Sequence, residues 1–132
     1  MVKETVPVLV RPLFDILADT GTSRLACAKL DIEGGEIEVL RAVAGQAPKI
    51  SPQWTVEFHD DPEFGLCTRA EVDGAVVAMR QSGFSVLIRN WPSRTNTLFL
   101  DRKALRIGLF EWWSIKFRYQ YLAWLWRKWL GI

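Results

Sequence analysis

Apolar positions along the chain follow two spacings, and each spacing predicts a different element. Residues 25–30 are apolar except for Lys29, which is typical of a strand covered on both faces. After two glycines, apolar side chains recur at helical spacing from Ile37 to Ala44, and Gly45 predicts the end of that helix. The pattern therefore predicts a strand, a tight turn and a helix.

The same succession is repeated further along the chain. Residues from Trp54 to Phe58 predict a second strand, and Thr68 with Glu71 three residues later forms the capping-box pattern that begins a helix. Apolar spacing carries this helix to a predicted end near Gly83. Strands that alternate with helices of this length favour a sheet with parallel strands and crossover connections.

Shorter elements are predicted on both sides of this repeat. Residues 84–88 and 97–100 predict two strands whose short connection makes them antiparallel. Residues 6–10 alternate as a short strand, which Pro7 confines to an edge, and residues 12–18 predict a short helix. The predicted fold class is α/β, with a doubly wound sheet that ends in an antiparallel hairpin.

Ionisable residues follow the first two predicted strands. Asp31 and Glu33 come directly after the first strand, and Glu57, His59 and Asp60 lie at the end of the second. In open α/β sheets, ligands bind beyond the carboxyl ends of parallel strands, so we expect these residues on one rim. Carboxylate and imidazole groups can remove a proton or hold a hydroxyl there.

Each of these residues also has a purely structural interpretation. Asp31 and Glu33 would cap the following helix and accept hydrogen bonds from its free amides. His59 would be a surface or hydrogen-bonded histidine. Glu57, inside its strand, would need a partner, either Lys29 or Arg89. The residue types alone leave both interpretations open.

Metal and redox chemistry have weaker support. Hard oxygen ligands and one imidazole are available at the rim, but nothing in the sequence fixes their spacing, so no metal site is predicted. The four residues concerned are Asp31, Glu33, His59 and Asp60. Cys27 and Cys67 have no metal-ligand spacing and no secretory signal precedes them, which predicts a reduced, cytoplasmic protein.

Residues 31–36 read Asp-Ile-Glu-Gly-Gly-Glu, and the run resembles the strand-turn-helix hallmark of FkbM-type, S-adenosylmethionine-dependent methyltransferases. The order of the later segments is similar as well, so the resemblance covers roughly residues 5–101. It implies a class I methyltransferase sheet and O-methylation of a sugar or other small-molecule hydroxyl. It also favours the functional interpretation of Glu33, and to a smaller extent that of Asp31. Taken with position on the rim, the candidate catalytic residues are Glu33, Asp31 and His59, and the candidate substrate-binding residues are Gly34, Glu57 and Asp60.

The resemblance also implies a glycine-rich loop that holds S-adenosylmethionine, and no G-x-G occurs in the chain. By the family layout, the chain would begin after the cofactor-binding half and supply only the acceptor side. Residues 25–30 would then form an apolar sheet edge that needs covering. The candidates are residues 6–10, the C-terminal helix, a second copy of the chain, or an N-terminal half made as a separate polypeptide.

Residues 105–132 differ from residues 1–104, which form the predicted methyltransferase half. This tail carries a net charge of +4 against −2 for the rest, and it contains five of the seven tryptophans. It predicts one long helix whose charged residues are scattered around the axis, and it is too charged to span a bilayer. Tryptophan, tyrosine and basic residues are typical of a membrane interface.

The tail therefore predicts attachment to an anionic membrane surface, or packing against the sheet edge or a partner subunit, with nucleic acid least favoured. Two functions follow. The leading one is a methyltransferase of which this chain is the acceptor-side half. The alternative is a non-catalytic half-sheet module that binds a membrane or a protein partner through its C-terminal helix.

Overall fold

The computed structural model describes residues 9–60, 66–88, 95–122, 125, 128 and 129. Helices and strands alternate through these residues, as predicted. In chain order the elements are α1 (Leu13–Asp19), β1 (Ala28–Leu30), α2 (Glu36–Val43), α3 (Ala47–Ile50), β2 (Gln53–Glu57), α4 (Arg69–Gln81), β3 (Ser85–Ile88), β4 (Asn96–Leu100) and α5 (Leu109–Lys116). A 3₁₀ turn (Ala44–Gln46) joins α2 to α3, and a π-helical turn (Phe117–Leu122) continues α5.

The four strands form one mixed sheet in the order β1-β2-β4-β3. β1 and β2 are parallel, and β4 is antiparallel to both β2 and β3. The predicted parallel pair and the predicted antiparallel hairpin are therefore both confirmed. Because β1 and β2 run in the same direction, the residues that follow them emerge on the same rim of the sheet.

The hydrophobic core lies on one face of this sheet. Trp54 on β2 pairs in register with Phe99 on β4, and both side chains are fully buried. Leu40 of α2 and Met79 of α4 complete the same cluster with no exposed surface. Burial of side chains of this size contributes about 1.5–3 kcal/mol each. The mixed sheet and the helices packed on it establish the mixed α/β class. Because α2 and α4 both contribute to the core on this one face, the doubly wound arrangement stays a prediction.

Two predicted boundaries differ from the structure. The first predicted strand begins at Leu25, but β1 begins at Ala28, because the Leu25 amide donates to the Ile50 carbonyl (2.7 Å) outside the sheet ladder. The helix predicted to end at Gly45 ends at Val43, and the 3₁₀ turn and the short helix α3, which were not predicted, follow it. Pro48 is tolerated there because it lies in the first turn of α3, where no amide donor is needed.

The predicted strand over residues 6–10 lies mostly outside the described residues. Leu9 and Val10 are described, and both are exposed and outside any strand. The short helix predicted after them is confirmed as α1, whose Leu13 and Leu17 pack against the core.

The C-terminal helix begins later than predicted. Residues 102–106 form a turn, in which Asp101 Oδ1 accepts from the amides of Lys103 and Ala104 (3.1 Å each). α5 therefore starts at Leu109 rather than at residue 105, and the π-helical turn replaces the regular α-helical pattern after Lys116. Within the described residues, no helix is long and apolar enough to cross a membrane.

Candidate active site at the carboxyl ends of β1 and β2

The turn between β1 and α2 has an unusual backbone. Glu33 (φ 53°) and Gly34 (φ 106°) both lie in the left-handed region. A Cβ atom on Gly34 would also lie 2.9 Å from the Cβ atom of Leu66, so both conformation and space favour glycine. Glu33 has no such freedom, and its conformation must be held by the surrounding contacts.

The carboxylate of Glu36 supplies those contacts from inside the turn. Its side chain is completely buried, and it accepts hydrogen bonds from the Ile32 amide (2.8 Å) and the Gly34 amide (3.0 Å). Charge-assisted bonds of this kind are about twice as strong as neutral ones. Sequence analysis missed this role, because an acidic residue at a helix start ordinarily faces solvent.

His59 lies between two carboxylates. Its Nε2 atom is 3.4 Å from Glu33 Oε2, and its Nδ1 atom is 3.3 Å from Glu36 Oε1. The Nδ1 contact lacks the alignment of a hydrogen bond, so it is mainly electrostatic. The ring is 18% exposed, while Glu33 is 77% exposed. One imidazole nitrogen thus faces the buried carboxylate of Glu36, and the other lies near the exposed side chain of Glu33 on the rim.

Asp31 is held by its neighbour on β1. Its carboxylate is 2.8 Å from Lys29 Nζ. This hydrogen bond is the main cause that lowers the pKa of Asp31 and raises the pKa of Lys29, and both groups are exposed to solvent. α2 has no side-chain cap, so the capping role considered for Asp31 and Glu33 is not observed. Glu36 bonds the turn amides instead.

The other two acidic candidates make different contacts. Asp60 pairs with Arg69 Nη1 (2.9 Å), which ties the end of β2 to the start of α4. Glu57 remains within β2, and its charge adds to the causes that raise the pKa of Lys29. Of the five predicted rim residues, the structure therefore brings together Asp31, Glu33 and His59.

These same three residues offer ligand atoms that all lie within 4.8 Å of one another. Two carboxylates and one imidazole can hold a hard divalent cation. The sequence did not fix the distances between these three residues. The parallel pairing of β1 with β2 brings them together. Asp60, the fourth residue considered for such a site, is engaged with Arg69.

Cys67 lies beside the rim, which the sequence did not indicate. Burial raises the pKa of its thiol, and the charges of Asp60 and Glu36 raise it further. The His59 amide donates to its sulfur, which only partly opposes that effect. Cys67 is therefore a neutral thiol. Cys27, which precedes β1, is exposed, and both cysteines are free.

Comparison with known proteins identifies the family of this chain. The family model of the methyltransferase FkbM domain matches residues 1–86. The chain belongs to the FkbM methyltransferase family. The match includes the turn from Asp31 to Glu36 and the strand that leads to His59, so both halves of the rim lie within the family domain. No curated protein and no solved structure matches the chain.

Proposed function

We propose that this FkbM-family chain forms the acceptor side of an S-adenosylmethionine-dependent O-methyltransferase that acts on a small-molecule hydroxyl, such as that of a sugar. One observation carries the proposal: His59 lies between Glu33 and the buried Glu36 at the carboxyl ends of two parallel strands. The family match favours a methyltransferase over a non-catalytic half-sheet module.

In this proposal His59 Nε2 removes the proton from the acceptor hydroxyl. Its other nitrogen lies 3.3 Å from the buried carboxylate of Glu36, whose negative charge would stabilise the imidazolium that forms. Glu33 extends from the same rim into solvent, where it can accept hydrogen bonds from further hydroxyls of the acceptor. Gly34 acts through the turn: its positive φ and its close packing against Leu66 keep Glu33 on the rim.

Asp31, Glu57 and Asp60 have supporting places. Asp31 stands beside His59 on the rim, where its carboxylate can accept a hydrogen bond from the acceptor. Glu57 and Asp60 shape the walls of the rim through their electrostatic contacts with Lys29 and Arg69.

S-adenosylmethionine would supply the methyl group, but the described residues do not form a cradle for it. The chain contains no G-x-G, and the carboxylate of Glu36 occupies the amides of the turn at Gly34. β1 is an outer strand of the described sheet, so further strands from a separate half or a second copy have an edge on which to pair. We place the cofactor on that side, outside the described residues.

Calorimetry tests this placement. We expect no heat when S-adenosylmethionine is titrated into the purified chain alone. Tight binding by the isolated chain would contradict it.

The catalytic assignment is tested on the protein purified from its native host, with the components it naturally binds. The assay measures transfer of a tritiated methyl group from S-adenosylmethionine to a panel of methyl glycosides. We expect His59→Ala to lower kcat by about 100-fold or more, because a positioned base contributes about 10²–10⁴-fold. Glu33→Gln is expected to raise KM for the glycoside with a smaller effect on kcat.

The matched control is Glu38→Gln, which removes an exposed charge from the same first turn of α2. We expect it to leave both constants near those of the unmodified protein. The proposal fails if no hydroxyl acceptor is methylated, or if His59→Ala and Glu38→Gln behave alike.

A further inference from the structure

A basic cavity lies at the end of the sheet opposite the candidate active site. Its volume is about 690 Å³, within the range of small-molecule sites. It is bounded by the end of α4 at Ser82, the start of β3 at Ser85, and the turn that leads from β4 to α5. Leu100 pairs with Gln53, the first residue of β2, which places this cavity at the amino end of the strand that leads to His59.

The charged residues that line the cavity are Asp101, Arg102, Lys103 and Arg106. Asp101 uses one carboxylate oxygen to bind the turn amides, so three cations outweigh a single, engaged carboxylate. The Nε atom of Arg102 is buried and has no hydrogen-bond partner among the described residues. Buried donors are nearly always paired in folded proteins, and a phosphate oxygen in the cavity would give this donor an acceptor.

An exposed aromatic surface begins two residues after Gly108, the last residue that lines the cavity. Phe110, Trp113, Phe117 and Tyr121 recur at intervals of three or four residues, which places them on one side of the helical segment. We call these four residues the aromatic face. Each is more than half exposed, from 53% for Phe117 to 86% for Phe110. Contiguous apolar surface of this kind marks an interaction site.

Cations border the aromatic face as well as the cavity. Lys116 Nζ lies 5.3 Å from the centre of the Trp113 ring, and the guanidinium of Arg102 lies 5.5 Å from the centre of the Trp112 ring. The tail as a whole carries a net charge of +4. Aromatic rings flanked by lysine and arginine suit the level of lipid headgroups, where rings enter the interface and cations meet phosphates.

We propose that the basic cavity and the aromatic face together bind an anionic phospholipid at a membrane surface, with its phosphate against Arg102, Lys103 and Arg106. The positive charge favours anionic lipid over an uncharged apolar partner. Because the cavity and His59 lie at opposite ends of the sheet, docking leaves the candidate active site open to solvent. This binding does not depend on methyl transfer.

The test is flotation of the purified chain with vesicles of phosphatidylglycerol and phosphatidylcholine, compared with vesicles of phosphatidylcholine alone. We expect binding to the anionic vesicles, with a blue shift of tryptophan fluorescence, and release at high salt. Lys103→Gln with Arg106→Gln is expected to weaken binding by roughly 25-fold, about fivefold for each charge removed near the surface.

The matched control is Arg24→Gln with Lys49→Gln, which removes the same charge from exposed positions outside the cavity. We expect it to change binding by less than about threefold. Phe110→Ser with Trp113→Ser keeps every charge and is expected to weaken binding by roughly tenfold or more. Circular dichroism verifies that each variant keeps its fold.

Three results overturn the proposal. The first would be no binding of the chain to anionic vesicles at low salt. The second would be equal weakening of binding by the two double charge variants. The third would be displacement of the chain from the vesicles by millimolar inorganic phosphate. The last result would identify a soluble phosphate compound as the ligand.

Discussion

The two ends of the sheet carry opposite charge and are built in different ways. At the carboxyl ends of β1 and β2, carboxylates surround His59, and the central one, Glu36, is completely buried. At the other end, Lys103 and Arg106 are exposed side chains of a turn. At the acidic end the carboxylate that accepts the backbone amides is itself buried, whereas at the basic end a turn bonded by Asp101 presents exposed cations.

The two ends of the sheet are therefore suited to different functions. Buried, hydrogen-bonded groups keep a fixed geometry, which a reacting site requires. Exposed charges are screened by salt and stabilise the fold little, but they attract an oppositely charged surface. Substitutions at the acidic end should therefore act on stability and chemistry, whereas those at the basic end should act on association.

The largest expected effect is that of Glu36→Ala. The change removes the acceptor of two backbone amides and the partner of the His59 ring, and we expect about 2–4 kcal/mol less stability. Glu111→Ala is the counterpart at the basic end, where an exposed carboxylate accepts one amide, that of Gly108 (2.8 Å). Urea unfolding should show a much smaller loss for Glu111→Ala. Equal losses would remove the contrast between the two ends.

Gly34→Ala should have the next largest effect. The new methyl group meets Leu66 at 2.9 Å in a backbone conformation that disfavours it, so we expect about 1–3 kcal/mol of destabilisation. Gly45→Ala is the control, because no atom lies within 4 Å of its Cβ position, and it is expected to be neutral or slightly stabilising. Thermal unfolding of the two variants measures the difference. Equal stability of the Gly34→Ala and Gly45→Ala variants would mean that the turn at Gly34 is not tightly held.

The smallest effect concerns the two cysteines. Burial and nearby carboxylates raise the pKa of Cys67, so at mildly alkaline pH a smaller fraction of Cys67 than of an ordinary cysteine is thiolate. We expect a thiol reagent to label exposed Cys27 first and Cys67 about tenfold more slowly, with the Cys67 rate still rising at higher pH. Mass spectrometry of timed samples measures both rates. Faster labelling of Cys67 would place it outside the acidic environment.

Local signals in the sequence are well reflected in the fold. Thr68 and Glu71 form the predicted capping box, and each side chain bonds the other residue's amide. The alternation of strands and helices, the antiparallel hairpin and the family are confirmed as well. These features depend on neighbouring residues, on repeating intervals or on a contiguous motif, all of which are visible in one dimension.

The sequence by itself determined the elements, the family and the rim on which Asp31, Glu33 and His59 stand. Only the tertiary structure decided that Glu36 turns inward, that His59 fits between two carboxylates, and that a basic cavity forms at the far end. The contacts of His59 with Glu33 and Glu36, and the cavity between Ser82 and Arg106, join groups more than twenty residues apart in the chain. Their distances are set by the parallel pairing of β1 with β2 and by packing on one sheet face, which no local pattern encodes.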